Sequence, residues 1–296
     1  MNLLFVINPA SGRRRDLGRL RKTIEARCSR AGLDFTTRIC DEVGELDSIL
    51  RQAAGDGTDV VVAVGGDGTV HEIGTRLIDS PLALGILPVG SGNGLARHLG
   101  VSIDPVGALD GIASSRIETI DTARAALRPF LGVAGVGFDA AVAHRFGLRG
   151  RRGLLAYAEE AMWLLRGYRP ERYEVKVDGE PIETTALLVA VANSSQYGNQ
   201  ARIAPAASLA DGQLDLCILE QPPLLAVPIL LRKLFAGTLR DGAGVVIRRG
   251  RSITVVRSGE GPAHLDGEPL TMPARIEFEI RPRSLRVLVP AGRRVI

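Results

Sequence analysis

The feature that most constrains how this chain can fold is a change of rhythm near Ile120. Before it, short apolar runs alternate with helical spacing. Residues 3–7, 59–64 and 82–87 read as buried strands. Leu17, Leu20, Ile24 and Cys28 recur at helical spacing in a basic segment, 13–30. Residues 46–54, 70–78 and 95–99 read as further helices. Such alternation calls for a parallel sheet covered by helices. After Ile120, alternating runs separated by turn residues take over, as in RYEVKVDG, GQLDLCILE and ARIEFEI. They call for an antiparallel sheet unit, interrupted by helices at 153–166 and 228–236. We therefore expect two domains, 1–120 and 121–284. The tail, 285–296, carries one more strand that can return to either unit.

The 296 residues are 45% hydrophobic, ample for a packed core. Aromatic residues make up only 4%, which argues against base-stacking platforms and nucleic-acid binding. The net charge of +4 suits an anionic partner. Three cysteines without a CxxC pair argue against a disulfide framework or a zinc site and fit a reducing cytoplasm. The first residues, MNLLFVINPASG, lack the basic start of a secretory signal. No apolar run approaches the ~20 residues that span a bilayer. A membrane, if met, is met at its surface.

In an open parallel sheet, ligands bind beyond the carboxyl ends of the strands. Three loops belong there: Asn8-Pro9-Ala10-Ser11-Gly12, Gly65-Gly66-Asp67-Gly68-Thr69 and Pro88 to Gly94. Their small residues let backbone N–H groups approach phosphate oxygens. Neither GxxxxGK[ST] nor a helix-opening GxGxxG occurs, so the usual nucleotide motifs are excluded. Asp67, an acid among such amides, makes sense in two ways. It can accept N–H bonds that orient the loop, or it can act with Mg²⁺, which takes one or two carboxylates plus substrate phosphates. The expectation is a metal–nucleotide loop in which Mg²⁺ stands in for the missing lysine.

NPASG, GGDGTVHE, LPVGSGNGLAR, GVAGVGFDAAV, GLLAYAEE, IAPAASLADGQLDL and HLDGEPL, in that order, resemble the diacylglycerol kinase catalytic-domain family, which includes sphingosine and ceramide kinases. The series covers nearly the whole chain. The resemblance implies an α/β plus β architecture. An N-terminal Rossmann-like parallel-sheet domain and a C-terminal antiparallel β-sandwich-like domain would flank an active-site cleft. It implies ATP as phosphoryl donor, held by residues 8–12, by Gly65 to Thr69 with Val70 and His71, by Ser91, and by Thr36 in the second strand. It implies a Mg²⁺ site from the Asp211 side chain and backbone oxygens near Ser208 and Gln213. Two departures bear on the acceptor. SGNG replaces the GTxND of bacterial diacylglycerol kinases, which is closer to the sphingosine and ceramide branch, and His71 replaces the more usual Asn.

Phosphoryl transfer needs a positioned hydroxyl, charge neutralisation and usually a base. DGEP occurs twice, at 178–181 and 266–269. Asp-Gly is a two-residue hairpin signal in both, and the sequence alone barely separates them. The resemblance selects the late copy, with Glu268 as general base and Asp266 orienting it or the metal. Of the four histidines, only His71 earns a place in the site; the others read as satisfied or exposed. Residues 221–239, QPPLLAVPILLRKLFAGTL, are followed by Arg240, Arg248, Arg249 and Arg251. This pattern fits either a core helix or an interface with anionic lipid headgroups. The reading is a cytoplasmic lipid kinase, peripheral at the membrane surface. It phosphorylates diacylglycerol or a sphingoid-type lipid, and a homodimer is compatible with it. Two alternatives stand: an NAD kinase-like enzyme, and a regulator that binds nucleotide and lipid without turnover.

Overall fold

The structure is a computed structural model that describes residues 1–11, 17–41, 43–149, 154–242, 244–293 and 295. It divides into two compact units, Met1–Ile120 with Arg283–Ile296, and Asp121–Pro282.

In the first unit the strands are β1 (Asn2–Ile7), β2 (Asp34–Ile39), β3 (Val60–Gly65) and β4 (Ala83–Pro88). They form a parallel sheet in the order β2-β1-β3-β4. Helices α1 (Leu17–Arg30), α2 (Val43–Gly55), α3 (Asp67–Arg76), α4 (Gly94–His98) and α5 (Pro105–Ile112) complete the unit. β3 and β4 are buried at every position. Helices cover both faces of a parallel sheet, so its inner strands read as unbroken apolar runs rather than alternating ones. Leu3, Phe5, Ile7, Val60, Val62 and Val64 pack with Leu20, Ile24 and Cys28 of α1 and with Leu109 and Ile112 of α5. The spacing of the α1 residues foretells that contact. Residues 13–16 of the expected basic helix lie outside the described residues.

Two boundaries differ from expectation. The helix expected over 70–78 starts at Asp67, so GGDGT is less a loop than a junction: only Gly66 separates β3 from α3. Helix α5 was not foreseen, although Asp104-Pro105 announces it. The Asp104 carboxylate accepts the Gly107 N–H at 2.9 Å, and proline occupies the first turn.

Between the two halves of the chain runs β5 (Arg116–Ala125). The second unit contains β6 (Arg128–Phe130), β7 (Val133–Gly137), α6 (Phe138–Arg149), α7 (Leu154–Leu165), β8 (Glu171–Val177), β9 (Glu180–Ala186), β10 (Leu188–Ala192), β11 (Leu214–Leu219), α8 (Val227–Ala236), β12 (Val245–Gly250), β13 (Ser252–Val256), β14 (Gly261–Leu265) and β15 (Glu268–Met272). The last strand, β16, covers Arg275–Val289. Its first part pairs antiparallel with β13; near its end Val287 pairs with Leu84 of β4. The tail thus belongs to the first unit.

One sheet of the second unit runs β12-β11-β10-β7-β14-β15, antiparallel throughout. Opposite it lie β16, β13, β8 and β9. Val136, Val189, Val191, Leu214 and Leu216 of the first sheet meet Tyr173, Val175, Ile253, Val255 and Phe278 of the second. This is a β-sandwich core. On the outer face of the first sheet, Leu188, Ala190 and Cys217 pack with Phe138 of α6 and with Leu230 and Leu234 of α8. β10 is therefore buried on both faces, which explains its unbroken apolar run in an antiparallel sheet. Helix α6 was not foreseen, because its Ala-rich start offers few large apolar residues to mark a period.

Candidate active site

In the first unit, Asn8 follows β1, Gly65 ends β3 and Pro88 ends β4, so the three loops share the carboxyl edge of the sheet. Side chains join them. Asn8 Nδ2 donates to Thr69 Oγ1 at 3.1 Å, and the Ser11 and Thr69 hydroxyls lie 2.9 Å apart. The Asn8 carboxamide also accepts the Ala10 N–H at 2.9 Å, closing a local turn around Pro9. Gly66 and Gly90 touch across the second and third loops. A Cβ on Gly90 would lie 2.5 Å from the Gly66 Cα, so only glycine allows this approach.

Asp67 fixes the third loop. Its carboxylate accepts the Asn93 N–H at 2.8 Å and the Gly94 N–H at 2.6 Å. Asn93 sits in the left-handed region (φ 56°) at the start of α4, and its side chain donates to the Gly90 carbonyl at 3.0 Å. Of the two roles the sequence allowed, the geometry favours the brace. Each carboxylate oxygen accepts one amide at the start of α4, Oδ2 from Asn93 and Oδ1 from Gly94. Val70 is buried in the core with its N–H bonded to the Gly66 carbonyl, so it has little to offer a ligand. Ser91 is exposed at the loop tip, and His71 is half-buried one turn into α3. Thr36 is not brought to this edge. It pairs with Leu4 inside β2, whereas the strand reaches the edge at Ile39, opposite Ile7. Gly12 lies outside the described residues.

In the second unit, residues 208–213 form a tight loop before β11. Ser208 Oγ accepts the Ala210 N–H at 3.2 Å, and Asp211 Oδ1 accepts the Gln213 N–H at 3.1 Å. Asp121, which the sequence reading missed, anchors this loop from beneath. Its carboxylate accepts the Gly212 N–H at 2.7 Å, and its own N–H donates to the Leu209 carbonyl. Among the described residues no three acidic, histidine or cysteine side chains gather into a metal cluster. The Asp211 carboxylate with the backbone oxygens of Ser208 and Gln213 is a hard-oxygen set with one carboxylate, the kind Mg²⁺ takes when substrate phosphates and water complete its shell. The residues fit that ion in kind.

Arg249 was also missed as a structural cation. It bonds Asp215 Oδ1 at 2.9 Å and the Ala206 carbonyl, and lies 3.7 Å from Asp211 Oδ2. Burial pushes the Asp215 carboxyl upward against the pull of Arg249. Arg249→Ala would leave Asp215, 2% exposed, without its cation. We expect a loss of about 3 kcal/mol, the low end for a broken buried pair because Arg249 is itself partly exposed. A lowered urea midpoint would register it; an unchanged midpoint would contradict it.

The two DGEP copies fold alike. Asp178 and Asp266 are both left-handed (φ 49° and 53°), each followed by a positive-φ glycine, as a two-residue hairpin requires. Each aspartate also ties its turn to a neighbouring strand connection. Asp178 accepts the N–H groups of Arg251 and Ser252, both at 2.9 Å. Asp266 accepts those of Leu131 at 2.8 Å, Gly132 at 2.7 Å and Val133 at 3.1 Å. Its carboxylate holds the backbone of residues 131–133 and so ties down the turn that leads into Glu268. Glu180 and Glu268 are both exposed at the first position of an edge strand.

Beneath the late copy lies a buried polar group that the sequence reading treated only as satisfied or exposed histidine. His264 Nε2 is 3.1 Å from Asp139 Oδ2, which also accepts the Tyr197 hydroxyl at 2.7 Å. Gly135 makes room for this pair, since a Cβ there would lie 2.7 Å from His264 Nε2. The placement of Asp139 just after GVAGVG, and of His264 at an inward position of HLDGE, is the signal that could have found it.

The family description "Diacylglycerol kinase catalytic domain" matches residues 2–125, and "YegS C-terminal NAD kinase beta sandwich-like domain" matches residues 132–289. Among curated relatives, "Diacylglycerol kinase" of Bacillus subtilis (strain 168) is 27% identical over 89% of this chain and 88% of its own length. "Probable lipid kinase YegS-like" of Pseudomonas fluorescens is 31% identical over 92% of this chain and 90% of its own length. A crystal structure of a diacylglycerol kinase from Bacillus anthracis str. Sterne superposes with a TM-score of 0.78 at 21% identity, covering 100% of this chain and 98% of that one, and shares the fold. With these two family matches and a 31% identical relative covered over nine-tenths of its length, the chain belongs to the family of diacylglycerol kinases and YegS-like lipid kinases, and it is a lipid kinase.

Proposed function

We propose that the chain transfers the terminal phosphoryl group of ATP, with Mg²⁺, to the hydroxyl of diacylglycerol, giving phosphatidic acid. The observation that carries the reading is the knitted loop edge of the first unit. Asn8, Ser11, Thr69 and the Asp67 brace hold small-residue backbone in place where phosphates need amides that do not reorganise. In the second unit, Asp211 with the Ser208 and Gln213 carbonyls would hold Mg²⁺, which when bound supplies charge neutralisation at the phosphates. Glu268, exposed at the start of β15, would take the hydroxyl proton. The relatives named diacylglycerol kinase support this acceptor; the SGNG loop favours a sphingoid-type lipid as the second choice. Incubating the protein with ATP, Mg²⁺ and mixed micelles of diacylglycerol, ceramide or sphingosine separates the two. Faster phosphorylation of a sphingoid lipid than of diacylglycerol would overturn the first choice.

We further infer that this cytoplasmic enzyme meets its lipid at an anionic membrane surface through α8. No described helix is long and apolar enough to cross a membrane. Helix α8 buries no residue fully, and its approach and outer face expose Leu225 (91%), Ile229 (60%), Leu231 and Phe235. Arg232, Lys233 and Arg240 border this face, and none of them is in an ion pair among the described residues. The expected cationic fringe shrinks, however. Arg248 pairs with Asp241 at 3.0 Å and Arg249 with Asp215. Returning one buried Leu or Ile to water costs about 1.5–3 kcal/mol. Replacing Leu225 and Ile229 by Glu should therefore lower co-flotation with phosphatidylglycerol vesicles at least tenfold, by about 1.4 kcal/mol or more. Salt should weaken wild-type flotation as screening shortens to about 8 Å. Absence of wild-type flotation at low salt would contradict the inference.

A further inference from the structure

The two DGEP turns share sequence, backbone conformation and the tethering of their aspartates. What separates them is the residue two positions earlier. In the early copy it is Lys176, exposed on β8; in the late copy it is His264, 2% exposed on β14. His264 reaches in two directions. Nε2 faces Asp139 Oδ2 at 3.1 Å, and Nδ1 accepts the Gly267 N–H in a long bond of 3.4 Å. A neutral imidazole carrying its proton on Nε2 satisfies both contacts at once; this tautomer is assigned from the bonding pattern. Gly267 immediately precedes Glu268.

Asp139 is itself held from several sides. It stands in the first turn of α6, where Oδ1 accepts the Ala140 N–H at 2.8 Å. Oδ2 accepts the Tyr197 hydroxyl, and the Tyr197 ring meets the His264 ring edge-on at 5.7 Å. Asp139 is 7% exposed. Burying a carboxylate and an imidazole is costly unless each is hydrogen-bonded, and here they are bonded to each other. His264 thus links Asp139 of α6 and Tyr197 to the late turn.

We propose that His264, braced by Asp139 and Tyr197, is a positioning residue: it fixes the Gly267 peptide and so sets the direction from which Glu268 meets the acceptor hydroxyl. Asp266 holds the first residue of the turn and His264 the second, so the backbone entering Glu268 is pinned twice. Among the described residues the early copy shows only the first of these pins. The inference rests on Glu268 being the general base.

The test compares His264→Ala, His264→Gln, Tyr197→Phe, Glu268→Gln and Lys176→Ala in the full chain. Turnover is expressed per ATP-binding site, counted by equilibrium dialysis, alongside KM for ATP and amide exchange of the peptide spanning the late turn. Displacing a catalytic group by about 1 Å can cost roughly 10²-fold. We expect His264→Ala to lower kcat by about 10- to 100-fold, with unchanged ATP sites and KM and faster exchange in the late turn. His264→Gln, whose amide can still donate to Asp139, should recover part of the loss. Lys176→Ala should match wild type. If His264→Ala does not fold, Tyr197→Phe decides, because it deletes one hydroxyl from the brace and should lower kcat with KM unchanged. Full kcat per site in the folded histidine variants, or in Tyr197→Phe where they do not fold, with Glu268→Gln slow, overturns the positioning role alone. Full activity of Glu268→Gln overturns the base assignment and the positioning role with it.

Discussion

Glu268→Gln should lower turnover by about 10²- to 10⁴-fold, the range lost with a general base, while Glu180→Gln leaves it unchanged. Both glutamates open an edge strand after a left-handed Asp-Gly pair, and both turns are tied down by their aspartates. Glutamine keeps the size of either side chain and removes its basicity. Backbone conformation and exposure are therefore matched between the two variants, and what differs is the surroundings. The loss at Glu268 should fall on kcat with little change in ATP affinity, because its role begins when the acceptor hydroxyl is deprotonated. Stability should move by no more than about 0.5 kcal/mol in either variant, as for other exposed substitutions. Activity in both variants would mean that the late turn is a hairpin and no more. Loss in Glu180→Gln alone would mean that the early copy is the site.

Asp67→Ala should weaken ATP binding by about 10- to 100-fold while the core stays intact. The substitution strips two amides, Asn93 and Gly94, of their acceptor at the start of α4. A buried donor left unpaired costs about 1–3 kcal/mol, and every 1.4 kcal/mol is tenfold in affinity. The third loop would then have to be ordered by the nucleotide itself. The bracing role also makes a distinguishing forecast: affinity should fall by a similar factor with and without Mg²⁺. If Asp67 acted mainly as the ion's carrier, the loss would appear only in the presence of Mg²⁺. Wild-type affinity in both conditions would remove Asp67 from the nucleotide site.

These two cases also mark what a sequence can and cannot disclose here. β1, β3 and β4 are legible because a parallel sheet covered on both faces leaves continuous apolar runs. The three loops are legible because small residues at strand ends have few other uses. The duties of the acids are not. Asp67, Asp178 and Asp266 each hold backbone amides, but their partners lie 26, 73 and 135 residues away in the chain. No local pattern distinguishes a carboxylate that braces from one that binds a ligand. The same distance hides the Asp139–His264 pair, 125 residues apart. Helix α5 was written plainly in Asp104-Pro105, whereas the Ala-rich opening of α6 carried too weak a period to read.

The most direct measurement of the central claim follows the phosphorus. The purified chain is supplied with Mg²⁺, diacylglycerol micelles and ATP labelled at either the γ- or the α-phosphate, and the organic extract is counted. The account predicts label in the extract from γ-labelled ATP only, dependent on Mg²⁺ and lost with Glu268→Gln. No label in the extract, or γ-label recovered instead on added NAD in the aqueous phase, would contradict it.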